Sequence, residues 1–253
     1  MVRKWLLTLQ QPIKHFVEPF AGGAIVSLSV LFDELVEFVT LIEKDTNVGV
    51  VWQTIVDGGS AELADMIVDF QVTEENVRRL LNTTHAPHDV LGKALATIVR
   101  NRVQRGGIMA PGASLMRNGE NGRGLKSRWY PETLKNRLLD LHIRHSQIRF
   151  QSGDGLRFIQ ANAGDSEIVW FIDPPYTVAG RRLYLHSDLD HEKLFEEAAK
   201  LIGTFLMTYD NNKQIRDLAD KYSFQYTEVA MKNTHHALMS ELLISRNLDW
   251  VKD

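Results

Sequence analysis

The chain has 253 residues, of which 44% are hydrophobic and 24% charged, and its formal net charge at pH 7 is −3. This is the composition of an ordinary globular protein, which excludes a fibrous or low-complexity chain. Since there is no cysteine, a disulfide framework, a thiolate zinc site and a thiol nucleophile are also excluded.

The first elements predict a strand, a glycine turn and a helix. His15–Phe20 has the pattern of a short buried strand that breaks at Ala21-Gly22-Gly23-Ala24, after which apolar residues recur with helical spacing from Ile25 to Leu31. Phe38–Ile42 is a second apolar run, rich in β-branched residues, and it ends in Glu43-Lys44-Asp45. These residues therefore predict two strands joined by a turn and a helix.

Helical patterns dominate the middle of the chain. We predict helices over residues 46–56, 61–70, 74–81, 89–102 and 131–145, the last of which begins at Pro131. Strands and helices alternate after that point. We predict strands over residues 147–151, 168–172, 204–208, 224–231 and 238–245, with helices over 191–202 and 214–222. This alternation predicts an α/β fold with a doubly wound sheet, and the continuous apolar run at 168–172 predicts a central strand.

Positive charge is concentrated between Arg100 and Arg137. This stretch, which we call the basic window, has a net charge of +7, so the remainder of the chain carries −10. A compact cationic segment on an acidic chain is typical of a surface that binds a phosphate backbone. A solvated surface loop whose arginines serve solubility is the alternative that charge alone leaves open.

The predicted strand ends carry groups that suit a nucleoside ligand. Ligands of doubly wound sheets bind at the carboxyl ends of the strands, so Phe20, Glu43, Asp154 and Asp173 should be neighbours. A glycine turn lets the backbone approach a ligand, and a carboxylate after the second strand can accept both ribose hydroxyls. The Gly22-Gly23 turn lacks the spacing G-x-G-x-x-G, which counts against a nicotinamide or flavin dehydrogenase. Tight strand–helix turns without a ligand are the alternative interpretation.

The tetrapeptide Asp173-Pro174-Pro175-Tyr176 follows the predicted central strand. Its prolines stiffen the backbone and remove two amide donors, which leaves carbonyl acceptors pointing outward. An exocyclic amine could donate one hydrogen to the Asp173 carboxylate and one to the Pro174 carbonyl, which would free the nitrogen lone pair to attack an electrophile. The Tyr176 ring offers a face on which an extruded base could stack, worth ~1–3 kcal/mol. A Pro-Pro turn without chemistry is the alternative.

These motifs resemble those of the Dam-like DNA adenine methyltransferases, which depend on S-adenosylmethionine. The family turn V-E-P-F-x-G-x-G is matched by residues 17–24, with Ala24 in place of the last glycine, and the family motif D-P-P-Y is intact at residues 173–176. Leu183-Tyr184, Thr208-Tyr209-Asp210 and the segment 241–244 also resemble the family, so the similarity runs from about residue 14 to residue 246. The resemblance implies a Rossmann-like methyltransferase sheet as the catalytic domain, at residues 1–60 and 146–253. It also implies an inserted, mostly helical target-recognition region at residues 61–145.

The resemblance further implies roles for single residues. Glu43, with Asp45 as the alternative, matches the acid that holds the cofactor ribose, and Asp154 matches the carboxylate that meets the cofactor adenine amine. The residues implied to bind S-adenosylmethionine are Phe20, Gly22, Glu43, Asp45, Asp154 and Asp173. The residues implied to be catalytic are Asp173, Pro174 and Tyr176, and those expected to contact DNA are Arg100, Arg102, Arg105, Arg117, Arg123, Lys126 and Arg128.

The function that follows is transfer of a methyl group from S-adenosylmethionine to the exocyclic amine of an adenine flipped out of double-stranded DNA, without a metal. A cognate restriction endonuclease is a further candidate partner. RNA and protein-glutamine methyltransferases also use a polar-Pro-Pro-aromatic loop, so they remain alternatives, as does a DNA-binding pseudoenzyme.

The beginning of the sequence departs from the family pattern. Such enzymes carry a G-x-K element well ahead of the V-E-P-F turn, and Val17 is too close to Met1 for that element to be present. We therefore expect either that native residues precede this sequence or that the cofactor binds less tightly. The apolar run Trp5–Leu9 is too short for a signal peptide or a membrane span, which predicts a cytoplasmic protein.

Overall fold

The computed structural model describes residues 1–10, 12–82, 89–107, 109, 113–117, 122–175, 189–232 and 238–251. Its backbone contacts divide the chain into two compact units. Among the described residues, the first unit contains 1–44 and everything from 151 onward, and we call it the sheet unit. The second contains residues 45–150, and we call it the helical unit. The predicted division into catalytic and target-recognition regions concerns their roles and stays a prediction.

Within the described ranges, seven strands form one mixed sheet. They are β1 (Ile13–Glu18), β2 (Val36–Glu43), β3 (Ile148–Ser152), β4 (Ile168–Ile172), β5 (Phe205–Asp210), β6 (Gln225–Lys232) and β7 (Leu238–Ser245). Their order across the sheet is β3-β2-β1-β4-β5-β7-β6. β1 runs parallel to β2 and β4, and β4 runs parallel to β5, whereas β7 is antiparallel to both β5 and β6. The predicted doubly wound α/β fold is therefore confirmed.

Ten α-helices accompany these strands in the described residues. They are α1 (Val2–Leu7), α2 (Ile25–Phe32), α3 (Thr46–Val56), α4 (Ser60–Asp69), α5 (Glu74–Leu81), α6 (Val90–Val103), α7 (Pro131–Arg144), α8 (Gly155–Asn162), α9 (His191–Lys200) and α10 (Lys213–Lys221). The sequence patterns did not predict α1 or α8. In the part of the chain that the structure describes, no helix is long and apolar enough to cross a membrane.

The core of the sheet unit is centred on β4. Ile168, Trp170 and Ile172 are fully or almost fully buried, as expected of a strand with neighbours on both sides. Leu194 and Phe195 of α9 pack into the same cluster. Because the core holds β4 firmly, the residues that follow Ile172 start from a fixed position.

The helical unit is organised around α6. This helix contacts α3, α4 and α5, and its buried residues include Ala94, Val99 and Val103. The Asp89 side chain begins α6 by accepting a hydrogen bond of 2.7 Å from the amide of Gly92. Beyond α6, short 3-10 turns at Arg105–Gly107 and Gly124–Arg128 carry three cations of the basic window, Arg105, Lys126 and Arg128.

Candidate active site

The turn after β1 lies at the point where the order of the strands across the sheet reverses. β2 lies on one side of β1 and β4 on the other, and a crevice forms at such a position in doubly wound sheets. In this turn, Gly22 and Ala24 adopt φ angles of 48° and 47°, the left-handed region that glycine enters most easily. The Ala21 amide donates a hydrogen bond of 3.0 Å to the carbonyl of Ile42, which ties the turn to β2.

Glu43 joins two turns at the strand ends. Its side-chain Oε2 accepts a hydrogen bond of 2.7 Å from the amide of Gly22, and its backbone carbonyl accepts one of 2.9 Å from the amide of Gly153. A Cβ atom placed on Gly22, Gly23 or Gly153 would meet no other atom within 4 Å. Glu43 therefore lies beside open space that a ligand could enter.

Phe20 is partly buried and packs against the core of the sheet unit. A Cβ atom on Gly155 would lie 2.0 Å from the carbonyl oxygen of Pro19 and 3.2 Å from Cε1 of Phe20. Any side chain at position 155 would therefore collide with the turn after β1. The sequence patterns did not indicate this close approach of α8.

Asp154 and Asp45 both begin helices. Asp154 Oδ1 accepts hydrogen bonds of 3.0 and 3.3 Å from two amides in the first turn of α8, and its Oδ2 accepts one of 3.0 Å from Lys44. Burial tends to raise the pKa of Asp154, but these hydrogen bonds and the Lys44 charge outweigh it and hold the pKa below its ordinary value. Asp45 Oδ1 begins α3 by accepting bonds of 2.8 and 3.0 Å from the backbone and side chain of Asn47.

Asp173 comes directly after β4 and is exposed, and the next residue, Pro174, is buried. Asp173 Oδ1 accepts a hydrogen bond of 2.6 Å from the hydroxyl of Thr208 in β5. The sheet register explains this contact, because Ile172 pairs with Met207 and the next residue of each strand stands at the same level. The predicted base-stacking residue Tyr176 lies outside the described residues, as does Leu183-Tyr184.

Glu18, the last residue of β1, is a buried carboxyl group with 3% exposure. Its Oε2 accepts hydrogen bonds of 3.0 and 2.5 Å from the amide and hydroxyl of Ser27 in α2. Burial raises the pKa of Glu18 to about 7, with a contribution from nearby Asp173, although the bonds from Ser27 oppose the rise. The sequence analysis used Glu18 only as part of a predicted strand and of the family turn, and the signal it missed is an acidic residue at the end of a buried strand.

Tyr209 supports the end of β5 from within the core. Its hydroxyl oxygen lies 2.8 Å from Nδ1 of His191, the first residue of α9. Burial raises the pKa of Tyr209 well above its ordinary value, and the charges of Asp210 and Asp173 add to the effect. Tyr209 is therefore a neutral hydroxyl group close to the acidic strand ends.

The predicted DNA contacts all lie in the helical unit. Arg100 and Arg102 are in the last turn of α6, and Arg105, Lys126 and Arg128 belong to the two 3-10 turns. The side chains of four of the seven are exposed: Arg105, Arg117, Arg123 and Lys126. Across the described ranges, no group of three or more His, Asp or Glu side chains is placed to hold a metal ion.

The strand order, with the antiparallel β7 between β5 and β6, is that of a Rossmann-like methyltransferase sheet. The chain belongs to the D12 class N6 adenine-specific DNA methyltransferase family, whose model matches residues 6–234. The match confirms the predicted family and makes the protein an enzyme of the adenine-specific DNA methyltransferase class. No curated protein matches the chain.

Three solved structures show a distant likeness. Spermidine synthase from Thermotoga maritima is 11% identical, with a TM-score of 0.45, and the alignment covers 99% of this chain and 59% of that one. An uncharacterised protein from Listeria monocytogenes serotype 4b is 11% identical, with a TM-score of 0.42 and coverages of 98% and 67%. Precorrin-6y C5,15-methyltransferase from Geobacter metallireducens GS-15 is 8% identical, with a TM-score of 0.38 and coverages of 96% and 85%. At these TM-scores the likenesses add nothing to the family assignment.

Proposed function

We propose that the protein transfers a methyl group from S-adenosylmethionine to the exocyclic amine of an adenine flipped out of duplex DNA at a specific site. The observation that carries this proposal is the exposed Asp173 carboxylate at the end of β4, held in place by Thr208. This carboxylate lies at the carboxyl end of a central strand, which is where parallel-sheet enzymes bind their ligands.

Asp173 and Pro174 would orient the target amine. The Asp173 carboxylate accepts one amine hydrogen and the Pro174 carbonyl accepts the other, so both hydrogens are drawn away from the ring plane and the nitrogen lone pair becomes available. The amine nitrogen forms its bond to the methyl carbon as the carbon–sulfur bond breaks, and the surplus amine proton leaves to solvent. Tyr176 would provide the ring on which the flipped base stacks.

The turns after β1, β2 and β3 would hold S-adenosylmethionine, which supplies an electrophilic methyl group on a sulfonium sulfur. Phe20 and Gly22 would line its methionine end, and open space over Gly22 supports this placement. Glu43 would accept bonds from the ribose hydroxyls. Its position beside Gly22 favours it over Asp45, whose carboxylate begins α3. Asp154 would receive the cofactor adenine amine.

The basic window would bind the DNA backbone and read the target site. Its seven predicted contact residues belong to one compact unit, which supports a common surface for the duplex. A cognate restriction endonuclease, if paired with this enzyme, would cut the unmethylated form of the same site.

The test is methyl transfer with isotopically labelled S-adenosylmethionine. The purified protein is incubated separately with duplex DNA, single-stranded DNA and RNA, and the products are digested to nucleosides. We expect label in N6-methyladenine from the duplex.

Label in RNA or in protein instead would identify one of the alternative methyltransferases. Cofactor binding in a calorimeter without any transfer would indicate a pseudoenzyme. Sequencing methylated adenines in DNA from expressing cells would then identify the site.

A further inference from the structure

Lys44 and Asp154 form an ion pair at the ends of two neighbouring strands. Lys44 directly follows β2, and Asp154 lies two residues beyond β3, where it begins α8. The Lys44 Nζ donates a hydrogen bond of 3.0 Å to Oδ2 of Asp154. The residues that precede the two are joined as well, since the Gly153 amide donates a hydrogen bond of 2.9 Å to the Glu43 carbonyl. The backbone therefore places the two side chains next to each other.

The Asp154 carboxylate keeps one acceptor position beside Lys44. Burial tends to raise the pKa of Asp154, but its hydrogen bonds and the Lys44 charge hold it below the ordinary value, so the group is ionised and only accepts. An ionised carboxylate has about four lone-pair positions. Oδ1 uses two of them on the amides of Leu156 and Arg157, at 3.0 and 3.3 Å, and Oδ2 uses one on Lys44. The remaining position belongs to Oδ2, the oxygen that Lys44 contacts.

The Lys44 ammonium keeps hydrogens that it can donate to a ligand. It carries three, and among the described residues Asp154 is the one side chain to which it is bonded. The Lys44 side chain is 49% exposed and that of Asp154 32%, and ion pairs in contact with solvent contribute little to stability. A Cβ atom on Gly153, the residue before Asp154, would meet no other atom within 4 Å. A donor and an acceptor 3.0 Å apart therefore lie beside open space.

We propose that Lys44 and Asp154 together recognise the adenine ring of S-adenosylmethionine. The exocyclic amine of adenine is a donor, and the ring nitrogens that flank it, N1 and N7, are acceptors. Asp154 Oδ2 accepts an amine hydrogen, and Lys44 Nζ donates to one of the flanking nitrogens. A hypoxanthine ring, with a carbonyl oxygen in place of the amine, would set an acceptor against the carboxylate and be rejected. The proposal rests on the proposed function for the cofactor and for Asp154, and it adds Lys44 as a residue that determines specificity.

Calorimetric titration of the full chain tests the Lys44 contact without any methyl transfer. The ligands are S-adenosylhomocysteine and its 1-deaza and 7-deaza analogues, in each of which a C–H group replaces one flanking nitrogen. We expect Lys44→Met to weaken S-adenosylhomocysteine binding about tenfold, as for a lost hydrogen bond to a charged group. The analogue that lacks the contacted nitrogen should bind equally to the wild type and to Lys44→Met, and the other analogue should show the tenfold loss. An equal loss with all three ligands would mean that Lys44 only orients Asp154 and would overturn the proposal, as would no loss with any.

Lys14→Met is the matched control. Lys14 also pairs with a carboxylate, that of Glu167 at 3.8 Å, but these two residues lie where β1 and β4 begin, at the opposite end of those strands from the proposed site. This variant should bind all three ligands as the wild type does.

Methyl transfer to DNA is measured separately, so that the two proposals can fail independently. Loss of affinity that depends on one ring nitrogen, without any transfer to DNA, would reject the proposed function and leave the Lys44 contact in place. Transfer to DNA without that dependence would reject the Lys44 contact alone. A wild-type protein that binds none of the three ligands would overturn both.

Discussion

At the scale of single residues, the site depends on how a few side chains are held. Asp173 is exposed, yet the Thr208 hydroxyl at 2.6 Å restricts the directions in which its carboxylate can point. Glu18 is buried a short distance away and keeps its proton more readily than an ordinary glutamate. The surroundings of the two carboxyl groups thus differ, because Asp173 is in contact with solvent whereas burial raises the pKa of Glu18 to about 7.

Replacing Asp173 should remove catalysis without unfolding the protein. We expect Asp173→Ala to lower turnover by ~10²-fold or more, since a lost catalytic hydrogen bond commonly has that effect. The side chain is exposed, so the melting temperature should not change. Single-turnover methyl transfer and duplex binding measure the two effects separately. Turnover above about a tenth of the wild-type value would contradict the assigned role.

Thr208 is a positioning residue in this scheme. Thr208→Val keeps the shape and removes the hydroxyl, so kcat should fall about tenfold, as expected for a lost hydrogen bond to a charged group. KM for DNA should change little. Thr208→Ser keeps the hydroxyl and should restore most of the rate, which a purely structural role in β5 would not predict. Equal rates for the valine and serine variants would show that the hydrogen bond has no part in catalysis.

Glu18 should make stability depend on pH in a defined direction. Its pKa is about 7 in the folded chain against an ordinary value of 4.5, so the folded state holds the proton more tightly. The stabilisation that the protonated Glu18 side chain contributes to the folded state is fully present below pH 4.5 and is lost as the pH rises through about 7. A shift of this size corresponds to about 3 kcal/mol.

Glu18→Gln keeps an acceptor for Ser27 and cannot ionise. Urea denaturation at pH 5, 6, 7 and 8 should therefore show the wild type losing stability relative to this variant as the pH rises. Parallel curves for the two proteins over the whole range would mean that Glu18 does not titrate there.

At the scale of elements, the accuracy of the predictions followed the clarity of each pattern. β4 was predicted correctly because five consecutive apolar residues have few other interpretations. α8 was missed because it begins at Gly155, a poor helix former, and spans only two turns. Its close contact with Pro19 joins residues that are distant in the chain, and no local pattern reports such a contact. The Thr208 contact, by comparison, could have been predicted if the register of β4 against β5 had been known.

Removing the carboxylate of Glu43 and removing that of Asp45 should have different effects on the protein. Glu43→Ala should weaken S-adenosylmethionine binding by ~1.5–3 kcal/mol for each ribose hydrogen bond lost. Asp45→Ala should instead lose the cap of α3, at a cost of ~1 kcal/mol of stability. Isothermal titration with the cofactor and thermal melting separate the two effects. If Asp45→Ala reduces cofactor affinity more than Glu43→Ala, the ribose ligand has been assigned to the wrong residue.

At the scale of the whole molecule, the basic window and the acidic strand ends belong to different units. The basic window lies in the helical unit, whereas Glu18, Glu43, Asp154 and Asp173 belong to the sheet unit. The family match spans residues in both, so neither unit is an addition to the family pattern. The excess of positive charge was visible in the sequence, but which of these cations are exposed was not, because exposure depends on how separate elements pack.

The double use of Glu43 has a consequence for motion. Its side chain holds the Gly22 amide and its backbone carbonyl holds the Gly153 amide, so neither turn can detach without disturbing the same residue. In hydrogen–deuterium exchange, these two amides should open as one cooperative unit with similar protection. Glu43→Gln should keep them coupled, whereas Glu43→Ala should speed exchange at Gly22 and leave Gly153 protected. Independent exchange in the wild type would mean that the two turns fluctuate separately and that binding a ligand must order each of them in its own step.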